Sequence, residues 1–255
     1  IMQPLLSNRT IAITRPAGQA GKLSTLIEAA GGKPLLFPLI SITALNNYDV
    51  FDKVTSNLKD YDWAIFISSN AVQNSLPRLS KQIKLLPKTL KFAAIGPSTA
   101  AELNAFGIEN VLIPKDRFDS ESLLSLAEMQ NITDQKVMIF RGVGGREVLA
   151  ETLKARGAHI DFAESYQRIN PQTNTKILDD QWNNKTLDAL VVTSSEAMRH
   201  LIDLAKNTAW LKQIKICVNH LRIAEEADNL GLNISVAETS GDEAMLKCLI
   251  KTLKD

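Results

Sequence analysis

The chain repeats itself with a period close to half its length, and this repeat constrains the fold more than any other feature. Three blocks of the first half align in order with three blocks of the second: residues 10–37 with 136–163, 62–71 with 188–197, and 91–108 with 215–232. The offset is 126 positions for the first two pairs and 124 for the third. Three blocks in one order at nearly one offset indicate two copies of a single structural unit.

Each copy alternates short apolar strands with amphipathic helices. Residues 10–14 predict a strand, and residues 18–30 predict a helix with Leu23, Leu26 and Ile27 on one face. The continuous apolar run at 63–67 is typical of a strand covered on both faces. Further strands are predicted at 92–95, 111–113, 137–140, 189–193, 216–218 and 234–236, and further helices open near 97 and at 120. The alternation predicts an α/β fold of two similar, doubly wound parallel-sheet domains.

Two extended segments, residues 35–43 and 159–169, occupy equivalent places in the two copies. Both are longer than a βα loop requires. They are predicted to carry the chain between the domains and to pair as a two-stranded linker. The pattern leaves open whether the domains are contiguous halves or exchange their first βα units.

Composition excludes several classes of function. The chain has 29 Lys and Arg against 28 Asp and Glu, and this balance argues against nucleic acid as a partner. Its two cysteines, Cys217 and Cys248, and its three histidines show no metal-ligand spacing, so neither a metal nor a cofactor is expected. No apolar run approaches a membrane span. We therefore expect a cytoplasmic protein that does not bind membranes.

Small polar residues follow four of the predicted strands directly. They are Ser68, Ser69 and Asn70, then Gly96, Ser98 and Thr99, then Gly142 and Gly144, and finally Thr193, Ser194 and Ser195. Ligands of doubly wound sheets bind beyond the carboxyl ends of the strands, where helix N-termini present free N–H groups to anions. Ordinary helix capping uses the same residue types. Four such strand ends in one chain favour an anion-binding site over capping alone.

Arginines stand at equivalent strand ends in the two copies. Arg15 and Arg141 end the first strand of each copy, and Arg146 precedes the helix that follows in the second. An arginine in this place is typical of a carboxylate clamp, although a surface ion pair would use the same residue. Tyr166 lies in the second extended segment and is interpreted either as a site residue or as a packing residue.

Common catalytic motifs are missing from the chain. The glycines at 142, 144 and 145 do not continue as a dinucleotide-binding fingerprint, because position 147 is Glu147. No phosphate-binding loop of the Walker type and no Ser/His/Asp or Cys/His constellation is present. The sequence therefore predicts neither a nicotinamide enzyme nor a hydrolase with an activated nucleophile.

Several of these segments, taken in order over nearly the whole chain, resemble the uroporphyrinogen-III synthase family. The resembling segments are Ile11–Pro16, Gly31–Gly32, Phe37–Ile40, Phe66–Val72, Ala94–Ala100, Glu164–Tyr166 and Val192–Ser195. The chain departs from the family pattern at Asn219–Arg222, where glycine and small polar residues are usual. The resemblance rests on the order of the segments, because each one alone is loosely defined.

The resemblance implies a discontinuous first domain of residues 1–36 and 170–255, a second domain of 42–160, and linkers at 37–41 and 161–169. It also implies an active site in a cleft between the domains, and hydroxymethylbilane, a linear tetrapyrrole, as substrate. Loss of the terminal hydroxyl would give an azafulvene, and closure through a spiro intermediate would invert the last pyrrole. Holding a folded conformer would be the main task, with Tyr166 as an assisting proton donor.

The same resemblance implies an enzyme without cofactor, monomeric, with at most transient contact to the preceding pathway enzyme. Two other interpretations of the residues stay open here. One is a glycosyltransferase that binds a nucleotide sugar with two α/β domains, and the other is a cytosolic ligand-sensing module. Nucleotide binding would favour the first of these.

Overall fold

The computed structural model describes residues 4–145 and 147–254. Its strands are β1 (Thr10–Ile13), β2 (Lys33–Leu36), β3 (Ser41–Ala44), β4 (Trp63–Phe66), β5 (Lys91–Ala94), β6 (Lys136–Gly142), β7 (His159–Ile169), β8 (Ala189–Val192), β9 (Lys215–Val218) and β10 (Asn233–Val236). Its α-helices are α1 (Gly21–Ala29), α2 (Asp49–Thr55), α3 (Ser69–Ile83), α4 (Pro97–Ala105), α5 (Ser120–Leu124), α6 (Val148–Ala155), α7 (Lys176–Asn183), α8 (Ser195–Ala205), α9 (Leu221–Glu225) and α10 (Asp242–Thr252). None of the helices in this part of the chain has the length and apolarity of a membrane span.

The chain forms two compact units. The first unit holds Ile1–Ser41 and Ile169–Asp255, and the second holds Ile42–Arg168. Each contains one five-stranded sheet, in the order β10-β9-β8-β1-β2 and β3-β7-β6-β4-β5 respectively. The predicted α/β class with two parallel sheets is confirmed, since the neighbours β1–β2, β1–β8, β4–β5 and β6–β7 all run parallel.

The duplication predicted from the sequence extends to strand order and register. The series β2-β1-β8-β9 of the first unit corresponds to β7-β6-β4-β5 of the second. Thr10 pairs with Lys33 in the first unit, and Lys136 pairs with His159 in the second, both displaced by 126 positions. The two sheets therefore present equivalent strand ends, which makes their polar residues directly comparable.

Both sheets are covered on both faces, as the continuous apolar strands predict. In β8, Leu190 and Val192 pack into one cluster of buried side chains, while Ala189 and Val191 pack into another on the opposite face. The equivalent strand β4 divides its side chains between two clusters in the same alternating way. Two-sided cover holds the sheet rigid and leaves the strand ends as the accessible part of each unit.

One strand predicted from the sequence is absent from the structure. Residues 111–113 form a single parallel bridge, Leu112 to Ala93, and no strand, because Pro114 follows and has no N–H to donate. Helix α5 begins at Ser120, as predicted, and ends at Leu124. Residues 161–169, expected as a linker, form part of β7, which pairs with β6 as far as Tyr166 and lies beside β3. The two units change over at Ser41/Ile42 and at Arg168/Ile169. The predicted domain and linker bounds stay predictions.

Candidate functional site

Most of the predicted site residues lie at the carboxyl ends of β1 and β8 in the first unit and of β6 and β4 in the second, whereas Gly96, Ser98 and Thr99 follow the edge strand β5 and Tyr166 lies within β7. Counted within the first unit alone, β1, β2, β8, β9 and β10 are its strands one to five, and they lie in the order 2-1-3-4-5. In sheets with this order, ligands bind beside the first strand, at the point where the strand order reverses. That point lies between β1 and β8 in the first unit and between β6 and β4 in the second. Each unit therefore carries one candidate binding edge.

In the first unit, Arg15 is held by neighbouring side chains. Its Nη1 lies 2.5 Å from Oδ1 of Asp242, and its Nε donates to Oγ1 of Thr193 at 3.2 Å. The Arg15 side chain is only 13% exposed. Sequence reasoning missed Asp242, whose one signal was an acidic residue in the first turn of a helix. The guanidinium is thus fixed in place at the strand end.

Serines cap equivalent helices in the two units. The Ser68 Oγ accepts the N–H of Ala71 at 3.1 Å, and the Ser194 Oγ accepts the N–H of Ala197 at 3.1 Å. The capping interpretation therefore holds for both serines. Their neighbours Ser69 and Ser195 are the first residues of α3 and α8 and are half-buried, and so is Asn70.

The strand end after β5 is less open than the sequence predicts. Gly96 has extended backbone, and a Cβ placed on it would lie 3.3 Å from Cβ of Phe118. Ser98 is exposed, whereas Thr99 is 5% exposed and packs inside the unit. Thr99 therefore does not offer its side chain to a ligand in this conformation, and Ser98 does.

Arg141 is buried beneath the second strand-end edge. Its Cζ stacks 3.6 Å from the ring centroid of Phe162, and its Nη1 and Nη2 approach Glu147 and Glu164 at 3.2 and 3.5 Å. Its Nε has no hydrogen-bond partner among the described residues. Gly144, at φ +74°, donates its N–H to Glu164 Oε2 at 3.2 Å. A network of one cation and two carboxylates thus shapes this loop.

A cavity of about 370 Å³ adjoins Arg141 in the second unit. Ile67, Ile95 and Phe162 supply apolar walls, and Arg168 supplies a second cation. The candidate Arg146 lies outside the described residues. The cavity combines apolar walls with arginine side chains, which suits a ligand that carries a carboxylate on a short hydrocarbon arm.

Tyr166 lies against Gly142 on the other face of the sheet. A Cβ on Gly142 would approach Cζ and Cδ2 of the Tyr166 ring to 2.7 and 2.8 Å, so only glycine fits beneath the ring. The tyrosine is 2% exposed, and its hydroxyl lies 3.1 Å from Oγ of Ser68. The Tyr166 hydroxyl thus contacts the capping serine, and its role as an assisting proton donor stays a prediction.

The segment that departs from the family pattern keeps its place at a strand end. His220 caps α9, with Nδ1 accepting the N–H of Arg222 at 3.1 Å. It stands where the first copy has Gly96. Oδ1 of Asn219 is buried and has no partner among the described residues. His220 therefore caps the helix, but it places a side chain where the first copy has only the backbone of a glycine.

Neither thiol of the chain is suited to nucleophilic catalysis. Burial raises the pKa of Cys217 to about 12, so that this thiol stays protonated at neutral pH. Cys248 is 9% exposed and lies on α10, away from the strand ends described above. The described residues contain no group of three or more His, Cys, Asp or Glu side chains with the spacing of a metal site.

Comparison with known proteins shows consistent similarity. Residues 21–247 match the family described as Uroporphyrinogen-III synthase HemD. The uroporphyrinogen-III synthases of Salmonella typhimurium and Escherichia coli K12 are 33% and 32% identical, each over 94% of this chain and 99% of the relative. Among solved structures, a mutant uroporphyrinogen III synthase from Thermus thermophilus has a TM-score of 0.64, at 17% identity, over 96% of this chain and 98% of its own. The synthetase from Helicobacter pylori 26695 has a TM-score of 0.62, at 16% identity, over 95% and 99% of the chains.

Proposed function

The chain belongs to the uroporphyrinogen-III synthase family, and we propose that the strand-end residues of its two units bind the tetrapyrrole substrate. The enzyme cyclises hydroxymethylbilane to uroporphyrinogen III in tetrapyrrole biosynthesis, with loss of water and inversion of the last pyrrole ring. The match over 94% of the chain at 33% identity carries this conclusion. It replaces the glycosyltransferase and ligand-sensing alternatives.

The substrate's chemistry fits the two candidate edges. Hydroxymethylbilane carries acetate and propionate groups on every pyrrole, so its binding site must satisfy many carboxylates. Each edge offers helix N-termini and one anchored arginine, Arg15 or Arg141, to such groups. The residues proposed to contact substrate are Arg15, Ser68, Ser69, Asn70, Gly96, Ser98, Arg141, Gly144, Thr193, Ser194 and Ser195. Thr99 and Gly142, which the sequence also predicts to bind substrate, are buried in the second unit, Gly142 beneath the ring of Tyr166.

The proposed mechanism relies first on conformation. Loss of the terminal hydroxyl gives an electrophilic azafulvene, and attack through the substituted carbon of the last pyrrole gives a spiro intermediate that fragments and closes again with that ring inverted. The uncatalysed closure gives the uninverted isomer, so the protein must hold the conformer that leads to the spiro intermediate. Tyr166 is the proposed proton source for the departing hydroxyl.

The setting of the enzyme is also part of the proposal. We propose a monomer that acts in the cytoplasm and meets the preceding pathway enzyme only transiently. Support for a reducing compartment comes from Cys217 and Cys248, which are both free although both approach the hydroxyl of Thr252, at 3.7 and 4.0 Å.

We expect the purified protein to convert hydroxymethylbilane without added metal or cofactor, because the proposed steps need only binding, orientation and proton transfer. The measurement is the initial rate before and after treatment with a chelator, followed by desalting. Unchanged rates are the expected result. A rate abolished by the chelator and restored by one metal would contradict the proposal.

A further inference from the structure

We propose that Ser68 presents the proton to the departing hydroxyl of the substrate, and that Tyr166 acts through Ser68 as a positioning residue. This inference rests on the proposed function and specifies which side chain of that site meets the reacting atoms. Three observations carry it: the burial of Tyr166, the hydrogen bonds at the Ser68 oxygen, and the comparison of Ser68 with its copy Ser194.

The burial of Tyr166 separates it from a ligand. Its side chain is 2% exposed, and its ring covers Gly142 so closely that no Cβ would fit between them. Among the described residues, Ser68 is the one hydrogen-bond partner of its hydroxyl. Ser68 itself is half-buried at the carboxyl end of β4. A ligand at this edge therefore meets the serine before the tyrosine.

The hydrogen bonds at Ser68 determine where its own proton points. A serine oxygen has two acceptor sites and one donor proton. The N–H of Ala71 occupies one acceptor site, at 3.1 Å. Either oxygen could be the donor in the 3.1 Å contact between Ser68 and Tyr166, and we assign the Tyr166 hydroxyl as the donor because its proton would otherwise stay unsatisfied in a buried place. With both acceptor sites occupied, the Ser68 proton is directed to the strand-end edge, and the two incoming bonds polarise it.

The other copy of the unit lacks this arrangement. Ser194 caps α8 with the same 3.1 Å bond that Ser68 makes to α3. The position that corresponds to Tyr166 at the offset of 126 is Ile40, which carries no hydroxyl. The two serines thus share the capping role, and among the residues that the structure describes only Ser68 receives a second donor. The difference marks Ser68 as the serine with a role beyond capping.

Every bond and proton in the proposed step can be accounted for. The C–O bond of the terminal hydroxymethyl group breaks, and the oxygen takes the Ser68 proton and leaves as water. The pyrrole nitrogen supplies the electron pair that forms the azafulvene and releases its N–H proton. Ser68 takes the Tyr166 proton as it gives up its own. The released pyrrole proton then passes to the Ser68 oxygen, and Ser68 returns its other proton to the tyrosine oxygen, so both hydroxyls end as they began. No oxidant, reductant or further reactant is required.

The experiment is a double-mutant cycle on steady-state kcat and KM with hydroxymethylbilane, using Ser68→Ala, Tyr166→Phe and the double variant. We expect Ser68→Ala to lower kcat by roughly 100-fold or more, because general acids typically contribute about 100- to 10,000-fold. We expect Tyr166→Phe to lower kcat by less than about 10-fold, because it acts only through Ser68, and KM should be nearly unchanged in both variants. The double variant should match Ser68→Ala within about twofold, because Tyr166 then has nothing to act through.

Two further variants separate catalysis from capping. Ser68→Thr keeps both the hydroxyl and the cap and should restore most of kcat, whereas Ser68→Gly keeps an acceptable N-cap without a hydroxyl and should be as slow as Ser68→Ala. Ser68→Gly also serves if the alanine variant fails to fold. The inference would be overturned if the kcat losses of Ser68→Ala and Tyr166→Phe multiplied in the double variant, or if Ser68→Gly were fully active. A wild-type protein that gives no type III isomer would instead contradict the proposed function.

Discussion

Replacement of Gly142 by alanine is expected to destabilise the second unit and to lower kcat about as much as Tyr166→Phe does. The new Cβ would lie 2.7 Å from Cζ and 2.8 Å from Cδ2 of Tyr166, far inside van der Waals contact. The clash can be relieved only if the Tyr166 ring moves, because the backbone of β6 is held by its pairing with β4 on one side and with β7 on the other. Overpacking of this kind costs about 1–3 kcal/mol, and we expect the upper part of that range.

The loss of activity should follow from the same displacement. If the Tyr166 ring moves, its hydroxyl leaves Oγ of Ser68, and the proposed proton path is broken. The measurements are the free energy of unfolding in denaturant and kcat at a temperature where the variant is folded. Gly21→Ala is the matched control, because a Cβ on Gly21 meets nothing within 4 Å, and it should leave stability equal or slightly raised. A Gly142→Ala protein as stable and active as wild type would contradict the contact between Gly142 and Tyr166.

Replacement of Arg141 by alanine should have the second large effect. The guanidinium is 8% exposed, lies over Phe162 at 3.6 Å and faces the carboxylates of Glu147 and Glu164. Removing one partner of a fully buried ion pair costs about 3–5 kcal/mol. Both glutamates are a third or more exposed, so we expect roughly 2–3 kcal/mol. We also expect KM to rise about tenfold or more, as one charge-assisted bond to a substrate carboxylate is lost.

The chain contains a matched control for Arg141. Arg78 also contacts a carboxylate, Asp52 at 3.1 Å, and an aromatic ring, Tyr48 at 4.1 Å, but its side chain is 40% exposed. Arg78→Ala should therefore lower stability by no more than about 1 kcal/mol and leave KM unchanged. Thermal unfolding and KM would be measured for both variants. Equal effects of the two substitutions would show that the burial of Arg141 does not determine its contribution to stability and to KM.

The sequence predicts the framework of the fold well because local pattern determines it. Apolar runs such as 63–66 and 189–192 form buried strands, and the polar residues behind them, Ser68 and Ser194, cap helices as their residue types predict. The repeat at one offset also predicts equivalent sheets, and the registers of β1 and β6 agree with it. Each of these features follows from residues that are close in sequence or related by the repeat.

The contacts within the site could not be predicted from the sequence in this way. Tyr166 and Ser68 are 98 positions apart, and Arg15 and Asp242 are 227 apart, so their meeting depends on how strands are ordered in each sheet. The repeat also does not distinguish domains that are contiguous halves of the chain from domains that exchange their first βα units, because the sequence offset is the same in the two cases. Tyr166 pairs with Gly142 because the register of β6 and β7 shifts after Arg141, and such a shift has no distinct sequence signal.

The most direct test of the account is the isomer composition of the product. Purified protein would be supplied with hydroxymethylbilane generated by the preceding enzymatic step, and the oxidised porphyrins would be separated by chromatography beside a reaction without the protein. The account predicts the type III isomer as the main product with protein and the type I isomer without it. The type I isomer in both reactions would contradict the claim that this chain closes the ring with inversion.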